Sequence, residues 1–383
     1  HKVCFPIDGR PAINRAIDIY KAAGIQHHIV VVGAMAGQVI ETVGREHEGV
    51  IFAYQAEQLG TGHATRVGLR ALEALDSDED VLLVAGDRIV EPFIMEWLID
   101  LYYSKGCDMA FLVGPKGRRS DRGRVLLNPD GSVLANVEVR DIWQRQALGR
   151  IRQLAQEGMP PFRDTIRTII GEQFSEERRA TLAFGELWNT IAVEGREPMK
   201  EEILRWAPKE KTRFDFTDTS GRPISLTPEE VESTEVANFS IYLLKASALR
   251  YALDRLNTDN AQREEYLSDI ITILAQSHKG DGQRYQVYAL RVENPNYVLA
   301  FNDPAELLEV EAYFQRRKRP QLVEELPLSR GYRPSADWIA AFRSFGSSAS
   351  DTTLRRELIS VYGEQPTLLE ERRTAYLALL DCA

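Results

Sequence analysis

The sequence predicts an α/β protein with a doubly wound, mainly parallel sheet, a helical insertion and a helical C-terminal extension. Short β-branched apolar runs alternate with amphipathic helical patterns up to Gly114, and the alternation returns after residue 233. Residues 143–233, between these blocks, are rich in charged helix formers and prolines. The alternation favours parallel strands with helices on both faces, and the interruption is typical of an inserted segment.

The first block begins with a helix. Pro11 precedes the helical pattern AINRAIDIYKAAG, Gly24 ends it, and the strand IVVVG follows. The remaining elements predicted in this block are a strand near 50–54, a helix over 61–75, the strand VLLVAGD, the helix EPFIMEWLIDLYYSKG and the strand DMAFLVG.

The pattern then changes twice. RGRVLLNPDGSVLANVEV alternates apolar and polar residues around the turn signal NPDG, which predicts a hairpin. After the insertion the sequence predicts the strand NFSIYLLK, a helix around EYLSDIITILAQ, the strand YQVYALRV and the helix PAELLEVEAYFQRRKR.

Composition restricts the class of protein. The formal net charge of -10 disfavours a nucleic-acid binder. The cysteines, Cys4, Cys107 and Cys382, have neither metal-site spacing nor an even number, which favours a reducing cytoplasm. No apolar run is long enough for a membrane span and no signal peptide is visible, so we expect a cytoplasmic protein without a membrane partner.

Two segments lie where the strands of such sheets end and ligands bind. One is QAEQLGTGHA, with Gly60 and Gly62 on either side of Thr61; the other is AGD, with Asp87 after its strand. The spacing fits neither G-x-G-x-x-G nor a Walker A loop. The glycines are explained either by a tight turn capped by Thr61 or by a ligand that approaches the backbone.

The motifs together resemble one family. Q-x-E-Q-L-G-T-G-H-A with the later G-D, KVCFPIDGRP, GRV with VEVRD, LNTDNAQREEYLSDII and FNDPAELLEVE occur in family order. They resemble the nucleotide-sugar pyrophosphorylases, in particular the uridylyltransferase domain of bifunctional N-acetylglucosamine-1-phosphate uridyltransferases. The resemblance implies a Rossmann-like nucleotide-diphospho-sugar transferase domain over residues 1–315, interrupted by the insertion 143–233.

The resemblance implies a reaction. A sugar-1-phosphate would attack the α-phosphorus of a nucleoside triphosphate, UTP by preference, and pyrophosphate would leave, with Mg²⁺ as cofactor, as in a UDP-N-acetylglucosamine pyrophosphorylase. Catalysis of this kind rests on positioning and charge neutralisation. The implied catalytic residues are Lys2 and Asp87; the nucleotide would be bound by Lys2, Gln55, Gly60, Thr61 and Asp87, the sugar by Gly123, Glu138, Asn238 and Asn260, and the metal by Asp87 and Asn260.

The sequence departs from the family in three places. Asn238-Phe239-Ser240 replaces N-T-G, Ala85 replaces a tyrosine, and Arg88 follows Asp87 where a small apolar residue is usual. A bulky Phe239 beside a lost aromatic wall argues against N-acetylglucosamine. The family's glycine-rich loop, expected before Lys2, is absent from the sequence, which we interpret as truncation. A non-catalytic regulatory or scaffold subunit with the same fold is the alternative.

The insertion and the C-terminal part have no counterpart in the family. Glu138 and Asn238 flank the insertion, so it is expected beside the sugar pocket as a lid or a docking surface. Residues 316–383 show short amphipathic helical patterns and no hexapeptide repeat. They are interpreted as a packed helical tail, or as the segment leading into a fused sugar kinase domain.

Overall fold

A computed structural model describes residues 1–74, 79–117, 121–158, 162–301 and 306–314. The chain forms two compact units. Of the described residues, unit 1 combines 1–52, 85–95, 295–301 and 306–314, and unit 2 combines 53–74, 79–84, 96–117, 121–158 and 162–294.

The elements follow one another in the predicted order. The strands are β1 Pro6–Ile7, β2 Arg10–Pro11, β3 Ile29–Val32, β4 Ile51–Tyr54, β5 Val81–Val84, β6 Arg88–Val90, β7 Met109–Pro115, β8 Arg124–Leu127, β9 Val133–Val137, β10 Phe214–Thr217, β11 Pro223–Leu226, β12 Val236–Leu244, β13 Val287–Arg291 and β14 Val298–Ala300. The helices are α1 Ala12–Ala22, α2 Ala36–Gly44, α3 Thr61–Ala74, α4 Pro92–Lys105, α5 Val139–Glu157, α6 Phe162–Gly171, α7 Glu177–Phe184, α8 Glu186–Trp188, α9 Lys200–Trp206, α10 Pro228–Glu232, α11 Ala246–Leu253, α12 Asp269–Ala275 and α13 over 306–314. Short 3-10 turns cover Lys2–Cys4, Lys209–Thr212 and Pro295–Tyr297, and a π turn covers Asn189–Val193.

Unit 2 is built on a six-stranded sheet with the order β13-β7-β12-β8-β9, in which β5 also pairs with β12. β13 is parallel to β7, whereas β12 is antiparallel to β5, β7 and β8, and β8 is antiparallel to β9. The α/β Rossmann-like class is confirmed, but the sheet is mixed rather than mainly parallel. The hairpin β8–β9 and the insertion reverse the chain, so β12 returns beside β7 without the crossover that a parallel neighbour requires.

The strands of this sheet are buried because helices cover them. Phe111, Tyr242, Leu249 and Ile270 belong to one apolar cluster, which joins β7 and β12 to α11 and α12. The strand β12 is interrupted at a register shift between Asn238 and Tyr242, where Ser240 has a left-handed φ of 58°. A bulge of this kind re-aims side chains at the edge of a site.

The helices between Ala147 and Ala207 form a further apolar cluster, which Ala261 also joins. Ile151, Ile166, Ala180, Leu187 and Ile203, from five successive helices, are at most 1% exposed and pack together. This helical content matches the pattern that predicted an insertion. The ranges proposed for the domain, the insertion and the C-terminal extension stay a prediction.

Unit 1 packs helices on short strands. Ile13 and Ile17 of α1 pack with Val3, with Val32 of β3 and with Val43 of α2. A second cluster places Ile89 of β6 against Phe301 and α13. The predicted C-terminal helices and the kinase hypothesis concern residues outside the described part of the chain. No helix within the described ranges is both long and apolar enough to cross a membrane.

Candidate functional site

In unit 1, two residues that are far apart in sequence form an ion pair. Lys2 Nζ lies 2.7 Å from Asp87 Oδ2. The 3-10 turn at the start of the chain presents Lys2, and the turn between β5 and β6 presents Asp87. The Lys2 side chain is 35% exposed and that of Asp87 15% exposed, and Lys2 Nζ also lies 3.5 Å from the Phe301 carbonyl oxygen.

The second oxygen of Asp87 fits a cation. Oδ1 is buried and has no hydrogen-bond partner among the described residues. A buried carboxylate oxygen without a partner is costly unless a ligand satisfies it, and Mg²⁺ prefers such oxygen donors. The described residues contain no cluster of three His, Cys, Asp or Glu side chains suited to a metal. A cation at Asp87 would therefore need oxygens from phosphates and water as well.

In unit 2, Gln55 lies over the glycine turn before α3. Its Nε2 donates to the Gly60 carbonyl oxygen at 3.4 Å and lies 3.0 Å from His63 Nδ1. Because His63 is on the first turn of α3, the ring fixes the amide of Gln55 at the end of β4. The sequence-predicted residues Gln55, Gly60 and Thr61 are thus neighbours.

The two glycines are needed because Glu265 packs against them. A Cβ on Gly60 would lie 2.6 Å from the Glu265 carbonyl oxygen, and one on Gly62 would lie 2.9 Å from Glu265 Cβ. Gly62 N–H donates to that same oxygen, and Glu265 N–H donates to the Leu59 oxygen. The glycines are therefore required by the protein's own residue Glu265, and the approach of a ligand to this turn stays a prediction.

The sugar-side residues Gly123 and Glu138 meet on one side of the hairpin β8–β9. A Cβ on Gly123 would lie 2.8 Å from Glu138 Oε1 and 2.7 Å from Asn136 Oδ1. Glu138 Oε1 accepts a hydrogen bond from Ser268 Oγ at 2.6 Å and one from Asn136 Nδ2 at 3.3 Å. Asn136 Oδ1 itself is buried and lacks a partner among the described residues, so a donor is missing here.

Asn238 is tied into the bulge of β12. Its N–H donates to the Gly123 oxygen, its Oδ1 accepts from Ser240 N–H at 2.8 Å, and its Nδ2 donates to Tyr242 Oη at 2.9 Å. Phe239 is fully buried, and its ring leaves no room for a Cβ at Gly114. The ring therefore belongs to the core, which removes the sequence-based argument that Phe239 blocks an open sugar pocket.

Asn260 organises a tight turn with its own side chain. Its Oδ1 accepts from the N–H groups of Gln262 and Glu264, each at 3.2 Å, and its Nδ2 donates to the Glu264 oxygen. Both acceptor positions of that amide oxygen are thus occupied. In this turn, Asn260 does not fit the role of a metal ligand, whereas Asp87 does.

A buried acidic cluster lies behind Glu138. Burial raises the pKa of Glu138, that of Asp141 to about 6 and that of Asp269 to about 8, and their mutual repulsion adds to the shift at Asp141 and Asp269. Tyr266 Oη is buried near these carboxyl groups and has no hydrogen-bond partner among the described residues. Sequence reasoning singled out none of Asn136, Asp141, Tyr266, Ser268 and Asp269 as site residues, although VEVRD and EYLSD contain four of them.

The structure brings the predicted residues together in two sets. Lys2 and Asp87 belong to unit 1, and the nucleotide-loop and sugar-side residues belong to unit 2. Within unit 2, Thr61 Oγ1 accepts from Leu267 N–H at 3.0 Å, so the nucleotide loop and the segment after Asn260 are in direct contact.

Comparison with known proteins agrees with the motifs. Residues 1–176 match the model of the MobA-like NTP transferase domain. The bifunctional protein GlmU of Mycolicibacterium gilvum is 27% identical over 82% of this chain and 46% of its own length, and that of Geobacter metallireducens is 25% identical over 84% and 48%. GlmU of Neisseria meningitidis serogroup B is 35% identical over 37% of this chain and 29% of its own.

The chain thus spans about half the length of the curated relatives it matches. The crystal structure of HddC from Yersinia pseudotuberculosis complexed with GMP-PN aligns over 82% of this chain and 89% of its own, with a TM-score of 0.40 and 13% identity, which is too distant to bear on function. The motifs and the matches agree, and the resemblance of this chain to nucleotide-sugar pyrophosphorylases, close to the uridylyltransferase domain of GlmU, is confirmed.

Proposed function

We propose that the protein is a sugar-1-phosphate nucleotidyltransferase, which converts a nucleoside triphosphate and a sugar-1-phosphate into a nucleotide sugar and pyrophosphate. The observation that carries the proposal is the Lys2–Asp87 pair with its unsatisfied Asp87 oxygen. The pair lies within the residues that match the NTP transferase model. A cation and a carboxylate held side by side can bind a polyphosphate and its counter-ion.

The Lys2–Asp87 pair would neutralise charge during the reaction. When a sugar-phosphate oxygen attacks the α-phosphorus, negative charge builds on the phosphate oxygens and on the departing pyrophosphate. The Lys2 ammonium group donates to those oxygens, and Asp87 keeps Lys2 oriented for that contact. Asp87 Oδ1 would hold Mg²⁺, which supplies further neutralisation of phosphate charge when bound.

Base recognition is assigned to the loop of unit 2. The Gln55 amide, oriented by His63, and the backbone of Gly60 and Thr61 offer donors and acceptors to the edge of a base. All nucleobases present both kinds of group, so UTP is proposed as the preferred triphosphate because of the resemblance to the uridylyltransferase domain of GlmU.

Sugar binding is assigned to the surface around Gly123. Glu138 and Asn136 face the space that a Cβ at Gly123 would fill, and a sugar hydroxyl donating to Asn136 Oδ1 would satisfy that buried oxygen. Asn238 and Asn260 hold the surrounding bulge and turn. N-acetylglucosamine-1-phosphate remains one candidate, because the buried Phe239 no longer argues against it.

The test is pyrophosphate release by the protein containing this chain, over a panel of nucleoside triphosphates and sugar-1-phosphates with Mg²⁺. Asp87→Asn is expected to reduce release by about 100-fold or more, since it removes the carboxylate charge without changing shape. The matched control is Asp100→Asn, an exposed carboxylate on α4 that should retain full activity. If the folded protein releases no pyrophosphate with any combination of nucleoside triphosphate and sugar-1-phosphate, the regulatory or scaffold subunit is favoured instead.

A further inference from the structure

One pocket in unit 2 is not used by the reaction just described. It has a volume of about 300 Å³ and lies between the insertion helices and the turn that contains Asn260. That volume is at the lower end of the range, roughly 300–1,000 Å³, that small-molecule sites occupy. Leu148, Phe184 and Trp206 provide apolar walls.

The charged side chains of the pocket are mainly cationic. Arg145, Arg205, Lys211 and Arg263 line it, against the two carboxylates Glu186 and Asp259. Both carboxylates are engaged, because Glu186 accepts from Trp206 Nε1 at 3.0 Å and Asp259 pairs with Arg263 at 3.3 Å. The chain as a whole has a net charge of -10, but cationic side chains outnumber carboxylates in this pocket. The pocket therefore favours an anionic ligand.

Two of the cations are available to a ligand. Within the described part of the chain, Arg205 and Lys211 form no salt bridge and both residues are exposed, although the Arg205 guanidinium lies 6.0 Å from the centre of the Trp206 ring. Arg145 is held deeper, with its guanidinium 4.2 Å from the centre of the Phe214 ring, and burial lowers its pKa. The backbone of Arg263 itself is strained, because its φ of 56° lies in the left-handed region.

The pocket adjoins the proposed sugar surface. Asn260 lines it, and Asp141, on the first turn of α5, accepts a hydrogen bond from Ala261 N–H at 2.8 Å. Glu138 is the N-cap residue of α5, and Gln144 and Arg145 line the pocket from the same helix. At 1.5 Å per residue, Gln144 is about 9 Å along the helix from Glu138, so the pocket begins less than two helical turns from the proposed sugar surface.

We propose that this pocket binds a carboxylate on the sugar ring of the substrate, so that the enzyme acts on the 1-phosphate of a sugar acid. The inference rests on the proposed function and names its substrate class. Arg205 and Lys211 bind the carboxylate, and Trp206 contacts the apolar face of the ring. A neutral hexose 1-phosphate would leave both cations without a partner.

Binding is measured first, because it does not depend on turnover. Glucuronate is titrated calorimetrically, at millimolar concentrations, into the protein containing this chain and into the double variant Arg205→Gln/Lys211→Gln. We expect glucuronate to bind, and the double variant to weaken binding about tenfold or more. Arg178→Gln/Lys200→Gln removes two exposed charges of the same types outside the pocket and should leave binding unchanged.

Two further titrations define the ligand. Glucose should bind more weakly than glucuronate, and its affinity should be the same for the unmodified protein and for Arg205→Gln/Lys211→Gln. Inorganic phosphate should not compete with glucuronate at equal concentration. Three results would overturn the proposal. They are no detectable binding of glucuronate, an equal loss of affinity in the two double variants, and displacement of glucuronate by phosphate at equal concentration. Turnover of glucuronic acid 1-phosphate against glucose 1-phosphate then separates the two proposals: binding as expected without any pyrophosphate release contradicts the reaction but not the sugar-acid pocket.

Discussion

The Glu265 carbonyl oxygen lies 2.6 Å from the position that a Cβ atom on Gly60 would occupy. Backbone cannot retreat from such a contact as a flexible side chain can, and Gly60 also has a φ of 109°. The glycine turn before α3 is thus constrained by two independent features of the fold.

Gly60→Ala is therefore expected to lower the free energy of unfolding by about 2–4 kcal/mol, measured by urea denaturation. Gly49→Ala is the control, because Gly49 has a φ of 74° and nothing within 4 Å of its would-be Cβ. It should lose only about 1 kcal/mol, the cost of the left-handed conformation. Equal losses in the two variants would contradict the close approach of Glu265.

Gly123→Ala is expected to raise the KM for the sugar-1-phosphate about tenfold and to leave the KM for the nucleoside triphosphate unchanged. The added methyl group would lie less than 3 Å from the side chains of Asn136 and Glu138 and would displace the groups that we assign to binding a sugar hydroxyl. Gly37→Ala adds the same methyl group to an open position and should change neither constant. A rise in the triphosphate KM alone would move the sugar site elsewhere.

Asp269 makes stability depend on pH. Its folded pKa of about 8 exceeds its ordinary value of 3.8, so the folded state binds more protons than the unfolded state between those values, and stability falls as pH rises. Relative to Asp269→Asn, the unmodified protein should lose about 3 kcal/mol between pH 5 and pH 8 in denaturant titrations. Asp100→Asn should reproduce the unmodified pH dependence. Parallel curves for Asp269→Asn and the unmodified protein would show that Asp269 is ionised in the fold.

Glu232→Gln tests how the end of the insertion is attached to the sheet. Arg124 Nη2 lies 2.9 Å from Glu232 Oε1, and the arginine side chain is 3% exposed. Since the variant removes the carboxylate charge that pairs with a buried arginine, we expect a loss of about 1–3 kcal/mol by thermal or urea unfolding. Glu229→Gln, on the exposed side of α10, should cost less than about 0.5 kcal/mol, and a similar effect of both variants would contradict the role of the pair.

Much of the chain order follows from local pattern. The apolar run DMAFLVG is β7, the alternating segment around NPDG is the hairpin β8–β9, and the pattern after Pro11 is α1. Such runs are readable because burial imposes a period of two or 3.6 on the residues concerned. Strand direction is not readable in this way: β12 is as apolar as β7, and only the path of the intervening chain makes it antiparallel.

The candidate site likewise contains residues that local motifs could predict and residues that they could not. Motifs identified Gln55, Gly60, Gly123 and Glu138, which the fold brings together in pairs. The motifs could not show that the backbone of Glu265 requires the glycines, nor that Asp269 is buried, because both features depend on contacts between segments distant in sequence. The cationic pocket escaped prediction for the same reason: its charges come from α5, α9 and the turn at Arg263, and nothing in their spacing relates them.

The hydrogen bonds between residues 59–62 and 265–267 couple the two segments. Two of them join backbone groups, from Gly62 N–H to the Glu265 oxygen and from Glu265 N–H to the Leu59 oxygen, and the third runs from Leu267 N–H to the side-chain oxygen of Thr61. The turn carrying Asn260 and Arg263 therefore cannot shift without moving the loop beneath Gln55. We expect occupancy of the loop to pre-order the turn and the reverse, so that each of the two substrates raises the affinity for the other.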